Sequence, residues 1–118
     1  MIRIESDLIA AFDVDNTLIT APRDNTYPDD ILGITDPYTG TVKIRIPYTP
    51  NIELMKSYKA RGFYIIVWSH AGGKWGEAVV NALNLTDIVD QIQAKPNKLI
   101  DDLPVEQGIG TTIFVKED

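Results

Sequence analysis

Two carboxylates follow the first apolar run of this sequence at a spacing that suits acid and base chemistry. Residues 8–12 are apolar, and Asp13 and Asp15 come directly after them. Side chains two residues apart on an extended chain point the same way, although we expect the chain to coil after Asp13. A carboxylate that stays ionised can attack phosphorus, while a protonated neighbour can donate a proton to the leaving oxygen and later accept one from water. Thr17 is placed to hold this turn and to hydrogen-bond Asp15.

Polar side chains also follow two later apolar runs. The three predicted strand ends carry Asp13 with Asp15, Ser69 with His70, and Asp101 with Asp102. Because the carboxyl ends of parallel strands meet at one edge of a sheet, we expect these side chains to lie together. Four carboxylates at one edge repel each other, and a hard divalent cation with oxygen ligands relieves that repulsion. Mg²⁺ suits this set, because it binds one or two carboxylates together with phosphate oxygens and water.

The pattern of apolar residues predicts strands and helices that alternate along the chain. Strands are predicted at 8–12 and 63–68, as a short or irregular strand near Ile92, at 98–100 and at 111–115. Helices are predicted at 51–61, with Thr49 as the cap and Pro50 in the first position, and at 74–83. The first two strands lack alternation, which is typical of strands buried on both faces of a parallel sheet. This order favours an α/β fold, a Rossmann-like three-layer sandwich with a central parallel sheet of four or five strands.

Residues 18–49 do not follow this rhythm. The segment contains four prolines and turn signals at Asp36-Pro37 and Thr39-Gly40, and then alternates apolar residues with Lys43 and Arg45. A β-hairpin inserted after the first strand is the simplest account of this pattern, and it would lie beside any site at the carboxyl edge of the sheet. Lys43 and Arg45 are either contacts for an anionic substrate or solvated residues on the outer face of the hairpin.

Composition sets limits on the class of protein. The chain has 118 residues, which fit one domain over 1–118 with the insertion at 18–49 inside it. Its net charge of -6 argues against binding to duplex nucleic acid, because that binding depends on Lys and Arg. There is no cysteine, so disulfides and thiol catalysis are excluded. The charged residues within the first 13 positions argue against a signal peptide or a membrane span, and they favour a cytoplasmic protein.

The run from Asp13 to Leu18, Asp-Val-Asp-Asn-Thr-Leu, resembles the first motif of the haloacid dehalogenase (HAD) superfamily of phosphohydrolases. The strand that ends at Ser69 resembles the second motif, Lys95 resembles the third, and Asp101-Asp102 resembles the fourth. These segments occur in the order of the family and cover most of the chain outside the hairpin. The chain leaves no room for a large cap domain, so the resemblance implies a small capless member with an open site.

The resemblance implies a Mg²⁺-dependent phosphatase that works through an aspartyl-phosphate. It assigns these roles: Asp13 is the nucleophile, Asp15 the acid/base and a metal ligand through its carbonyl, Asp101 or Asp102 a further metal ligand, Thr17 the residue that fixes the loop, and Ser69 and Lys95 the groups that bind the transferring phosphoryl group. Lys98 is the competitor for the role of Lys95. His70 either touches the substrate or is a half-exposed structural histidine, and Arg45 is a further candidate contact.

Two other functions fit parts of the sequence. A signalling receiver domain has similar length and an acidic pair after its first strand, but its phosphoaccepting Asp should follow a middle strand, where this chain has Ser69. A non-catalytic module that binds a metal or a partner through the hairpin is the second alternative. For a hydrolase, the expected substrate is a small phosphate ester or another exposed phosphate. The choice between phosphatase and phosphotransferase stays open, and an exposed hairpin could pair between subunits.

Overall fold

The computed structural model describes residues 8–24 and 27–102, and within them the chain forms two sheets and two helices. The strands are β1 (Ile9–Phe12), β2 (Ile19–Thr20), β3 (Leu32–Thr35), β4 (Val42–Pro47), β5 (Tyr64–Ser69) and β6 (Gln91–Ala94), and the helices are α1 (Thr49–Ala60) and α2 (Gly73–Ala82). The α/β class predicted from the sequence is therefore confirmed. The strand predicted at 111–115 lies outside the described residues.

The central sheet has three parallel strands in the order β1-β5-β6. The register aligns Phe12 with Val67 and Val67 with Ile92, so the three strands end at nearly the same level. The short strand predicted near Ile92 is confirmed as β6, which is hydrogen-bonded along its whole length to β5. Residues that follow these strands are consequently brought to one edge of the sheet.

Both helices pack on the same face of this sheet. The Phe12 ring lies 6.3 Å from the ring of Tyr58 in α1, and a Cβ added to Gly76 in α2 would lie 3.1 Å from Ile92. Phe12 and Ile92 flank Val67 in register, so they share one face. In β5, burial alternates between buried Val67 and half-buried Trp68. Among the described residues α1 and α2 cover one face of the sheet, and burial of the apolar runs on both faces stays a prediction.

The hairpin predicted at 18–49 is confirmed as an antiparallel sheet in the order β2-β4-β3. One interpretation of the sequence put Lys43 on the outer face of this sheet, and the structure places it on the inner face. Lys43 lies opposite Ile34, which belongs to the hydrophobic core, and cross-strand partners share a face. Val42 points the other way and is 62% exposed. The Lys43 side chain stays 41% exposed, so its stem lies on the inner face while its ammonium is partly solvated and lies 2.9 Å from the Asp36 carboxylate.

Helix α1 begins earlier than predicted, and its cap is Tyr48 rather than Thr49. The Tyr48 N–H donates to the Leu18 carbonyl at 2.8 Å, which holds Tyr48 to the first loop and starts the helix at the next residue. No side chain caps this end, and Pro50 lies in the first turn, where its missing N–H costs nothing. Helix α2 agrees with the predicted helix to within one residue at each end.

The strand predicted at 98–100 is wrong. The chain leaves the sheet after β6, and residues 98–100 have no regular structure. Only three residues separate Lys95 from Leu99, and a crossover to another parallel strand needs about a dozen, so this segment is too close to β6 to form the next strand. Asp101 and Asp102, which the sequence placed at the end of this strand, instead follow an irregular and exposed segment.

Candidate active site

Three of the predicted site residues meet at the carboxyl edge of the parallel sheet. Asp13 directly follows β1, Ser69 is the last residue of the middle strand β5, and Lys95 directly follows β6. The Lys95 Nζ lies 4.0 Å from the Asp13 Oδ1, with the two side chains 31% and 34% exposed. The Lys95 N–H donates to the Ser69 carbonyl at 2.9 Å, which continues the β5-β6 ladder by one residue. Lys95, and not Lys98, is therefore the lysine paired with Asp13.

The loop after β1 coils tightly, as its sequence predicts. The Val14 carbonyl accepts hydrogen bonds from the Thr17 N–H at 3.2 Å and from the Leu18 N–H at 2.9 Å. Asn16 takes a left-handed conformation with φ of 62°, which asparagine tolerates better than most residues. The side chains of Val14 and Leu18 are fully buried, while Asp15 is exposed. Two apolar anchors thus fix a loop whose acidic side chains reach solvent.

Asn51 holds this loop from α1, a role that sequence reasoning missed. Its Nδ2 donates to the Thr17 carbonyl at 2.9 Å, and the residue is 6% exposed. The sequence indicated this role only weakly. Asparagine is a poor helix former, and Asn51 lies in the first turn of a predicted helix. The predicted bond from Thr17 to Asp15 does not form. Thr17 contributes its carbonyl instead, and the carboxylate of Asp15 has another donor.

That donor is the indole of Trp75 in α2. Its Nε1 lies 3.3 Å from Oδ1 and 3.2 Å from Oδ2 of Asp15, so one N–H is shared between both carboxylate oxygens. Trp75 was predicted as a core or pocket-wall residue, and its 3% exposure confirms that burial. The polar contact could not be read from the apolar stripe of the helix, because the stripe shows which side is buried but not what the indole N–H meets.

Ser69 lies at the centre of the edge and is almost fully buried, with 1% of its surface exposed. Its Oγ accepts a hydrogen bond from the Ala71 N–H at 3.0 Å. A serine hydroxyl has one hydrogen and two lone pairs, so this bond leaves its O–H available as a donor. His70 next to it is exposed. The Arg45 guanidinium donates to the carbonyl of its neighbour Ile44 at 2.8 Å, and this bond does not direct it to the acids.

The tip of the hairpin lies on the loop that follows β5. A Cβ added to Gly72 would overlap the hydroxyl of Tyr38 and lie 3.1 Å from its Cζ. Within the tip, Asp36 accepts from the Tyr38 N–H at 2.8 Å and pairs with Lys43 at 2.9 Å. The Lys43 ammonium and the Tyr38 N–H lower the pKa of the Asp36 carboxyl below its ordinary value. The hairpin is thereby placed beside the site, as its position in the sequence predicts.

The fourth predicted element is not assembled with the others. Asp101 and Asp102 are exposed, and residues 8–24 and 27–102 contain no group of three or more His, Cys, Asp or Glu that could hold a metal ion. The structure therefore brings together Asp13, Asp15, Ser69 and Lys95, but not the acids expected to complete a magnesium site. The reason is local, since the irregular path after Pro96 replaces the strand that would have delivered Asp101 and Asp102 to the edge.

In the described part of the chain, no helix has the length and apolar character needed to cross a membrane. Comparisons of the chain with protein-family models, with curated proteins and with solved structures found no match.

Proposed function

We propose that this chain is a Mg²⁺-dependent phosphohydrolase in which the Asp13 carboxylate is the nucleophile. The observation that carries the proposal is the 4.0 Å approach of Lys95 Nζ to Asp13 Oδ1 at the carboxyl edge, with Ser69 on the strand between them. An ammonium beside the nucleophile offers positive charge where a transferring phosphoryl group would stand, and a serine O–H offers a hydrogen bond to it. The pattern matches what the resemblance to the HAD superfamily implies.

The residues divide the reaction into two steps. In the first, an oxygen of Asp13 forms a bond to phosphorus, the bond to the leaving oxygen breaks, and protonated Asp15 gives that oxygen its proton. In the second, Asp15 takes a proton from water, the water oxygen attacks phosphorus, and the bond to Asp13 breaks to release phosphate. Ser69 and Lys95 bind the phosphoryl oxygens in both steps.

The donor set fits Mg²⁺ in its chemistry. The ion prefers hard oxygen ligands, and the proposed ones are the Asp13 carboxylate and the Asp15 carbonyl. The resemblance implies Asp101 or Asp102 as the third, which the exposed segment after Pro96 would have to bring to this edge. If bound, Mg²⁺ would supply positive charge that offsets the repulsion of the attacking carboxylate by the phosphate oxygens. The Rossmann-like three-layer sandwich, which needs cover on the second face of the sheet, is part of this proposal.

The exposure of the acids bears on the substrate. Asp15 is exposed and Asp13 is about one-third exposed, and the only insertion beside them within the described residues is the hairpin. An open site of this kind suits a small phosphate ester or a phosphate on the surface of a larger molecule. His70, exposed next to Ser69, is a candidate contact for the part of the substrate beyond the phosphate.

The test is phosphate release from a panel of phosphate esters, with Mg²⁺ and with a chelator. We expect Asp13→Asn to lower kcat/KM by about a thousandfold or more, because it removes the nucleophile without changing shape. Asp87→Asn is the matched control, since this exposed residue precedes β6 and so lies toward the opposite edge of the sheet. Cleavage by Asp13→Asn at the wild-type rate, or no cleavage by the wild-type chain, would refute the proposal.

A further inference from the structure

The carboxylate of Asp15 has a donor of an unusual kind. Asp15 lies on an exposed turn, where a carboxylate usually moves among rotamers in water, yet both its oxygens lie 3.2–3.3 Å from the Nε1 of buried Trp75. The indole cannot follow the carboxylate, because its ring is packed in the core. The contact therefore restricts Asp15 rather than Trp75. A donor shared by two oxygens also keeps one acceptor when the other oxygen carries a proton.

The hairpin contacts the ring face of the same indole through Lys43. The Lys43 Nζ lies 5.4 Å from the centroid of the Trp75 ring, a distance at which the negative face of the ring attracts a cation. Lys43 is itself fixed by its 2.9 Å ion pair with Asp36, whose other oxygen accepts from the N–H of Tyr38. A continuous series of contacts thus runs from the tip of the hairpin through Lys43 and Trp75 to Asp15.

We propose that Trp75 is a positioning residue, whose indole N–H holds the Asp15 carboxylate in the orientation needed for proton transfer, and that Lys43 fixes the indole from the hairpin. The inference rests on the proposed function, because the orientation of Asp15 affects turnover only if Asp15 transfers protons. It adds a role for the hairpin that the sequence did not indicate: the insertion takes part in orienting the acid/base as well as standing beside the site.

The first experiment tests the contact without any turnover. The chain has two tryptophans, so Trp68→Phe leaves Trp75 as the sole indole. In that background we expect Asp15→Ala to shift the emission maximum of Trp75, because the N–H loses its carboxyl acceptor. Asp87→Ala is the matched control and should leave the emission unchanged. If Asp15→Ala also leaves it unchanged, the contact does not exist in solution and the inference is overturned, whether or not the chain is a phosphatase.

The second experiment tests the role. Trp75→Phe keeps a buried ring but removes the N–H, and it is compared with the wild-type chain on an alkyl phosphate and on an aryl phosphate with an acidic leaving group. The alkyl ester needs a proton donor for its leaving oxygen, so its kcat should fall about tenfold or more while KM stays the same. The aryl ester needs little protonation and should change by less than about threefold.

Further outcomes separate the inference from the proposed function. Lys43→Met keeps the length of the stem but removes the charge. It should lower the kcat for the alkyl ester relative to that for the aryl ester, as Trp75→Phe does, but by a smaller factor. Equal losses on both esters in Trp75→Phe would make Trp75 a merely structural residue and overturn the inference. The wild-type chain could also cleave neither ester while Asp15→Ala still shifts the Trp75 emission in the Trp68→Phe background. That result would refute the proposed function and the acid/base role together.

Discussion

The contact between the hairpin tip and the loop after β5 can be measured with a double-mutant cycle on Gly72 and Tyr38. Gly72 has a φ of 105°, where a residue with a Cβ is strained by about 1–3 kcal/mol. The new Cβ of Gly72→Ala would also overlap the Tyr38 hydroxyl. The Tyr38 ring is largely exposed and can swing aside, so this second cost should be the loss of its packing, about 0.5–1 kcal/mol. Gly72→Ala should therefore lower the free energy of unfolding by about 1.5–4 kcal/mol.

Tyr38→Ala removes the obstacle and leaves only the backbone strain. In the double variant we therefore expect Gly72→Ala to cost about 0.5–1 kcal/mol less than it does alone, as measured by urea unfolding. Gly62→Ala is the matched control, because Gly62 has a φ of 89° but nothing within 4 Å of an added Cβ. Its cost should be the same with and without Tyr38→Ala. If the cycle with Gly72 is additive to within about 0.3 kcal/mol, the hairpin tip does not lie on this loop.

Two further predictions concern residues that hold the site in place. Asn51→Ala removes the donor to the Thr17 carbonyl and should lower the free energy of unfolding by about 1–3 kcal/mol, whereas Ser57→Ala on the exposed side of the same helix should stay within about 0.5 kcal/mol; equal losses in urea unfolding would contradict the role of Asn51. Asp36→Asn removes the carboxylate partner of Lys43. In the folded wild-type chain the Lys43 ammonium lowers the pKa of Asp36 below 3.8. The stabilisation is therefore complete above that value and is lost as the pH falls through the lower folded pKa. Wild type and variant should differ at neutral pH and converge once the pH falls below the folded pKa of Asp36; a difference that stays constant on acidification would contradict the role of the pair.

The placement of the strand-end residues could be predicted from the sequence for a simple reason. Runs such as 63–68 identify buried strands, and parallel strands with similar register bring their next residues to one edge. Asp13 and Ser69 needed no more information than that, whereas Lys95 was assigned from the resemblance to the third motif and not from a predicted strand end. The same reasoning did not hold for Asp101 and Asp102, because the segment after Pro96 was too short and too irregular to keep a place in the sheet.

The contacts made by single polar atoms could not be predicted. Alternation along β4 shows which residues share a face, but it does not show which face is inside, and the sequence left open whether Lys43 contacts a substrate or lies on the outer face. Its acceptor Asp36 lies in the turn of the same hairpin and the ring of Trp75 comes from α2, so alternation along β4 indicates neither contact. Asn51 and Trp75 are similar cases, because their donors meet a carbonyl and a carboxylate brought near only by tertiary packing.

The parallel order of the central sheet has a consequence for when the site forms during folding. The hairpin joins segments that are close in sequence and is able to form early, whereas the pairing of β1 with β5 must wait for a long loop to close. The Lys95 ammonium reaches Asp13 only after β6 has also paired, since β5 lies between their strands. A partly folded chain would carry the exposed acids without their lysine. The pairing of Asp13 with Lys95 therefore requires all three described strands of this sheet, β1, β5 and β6.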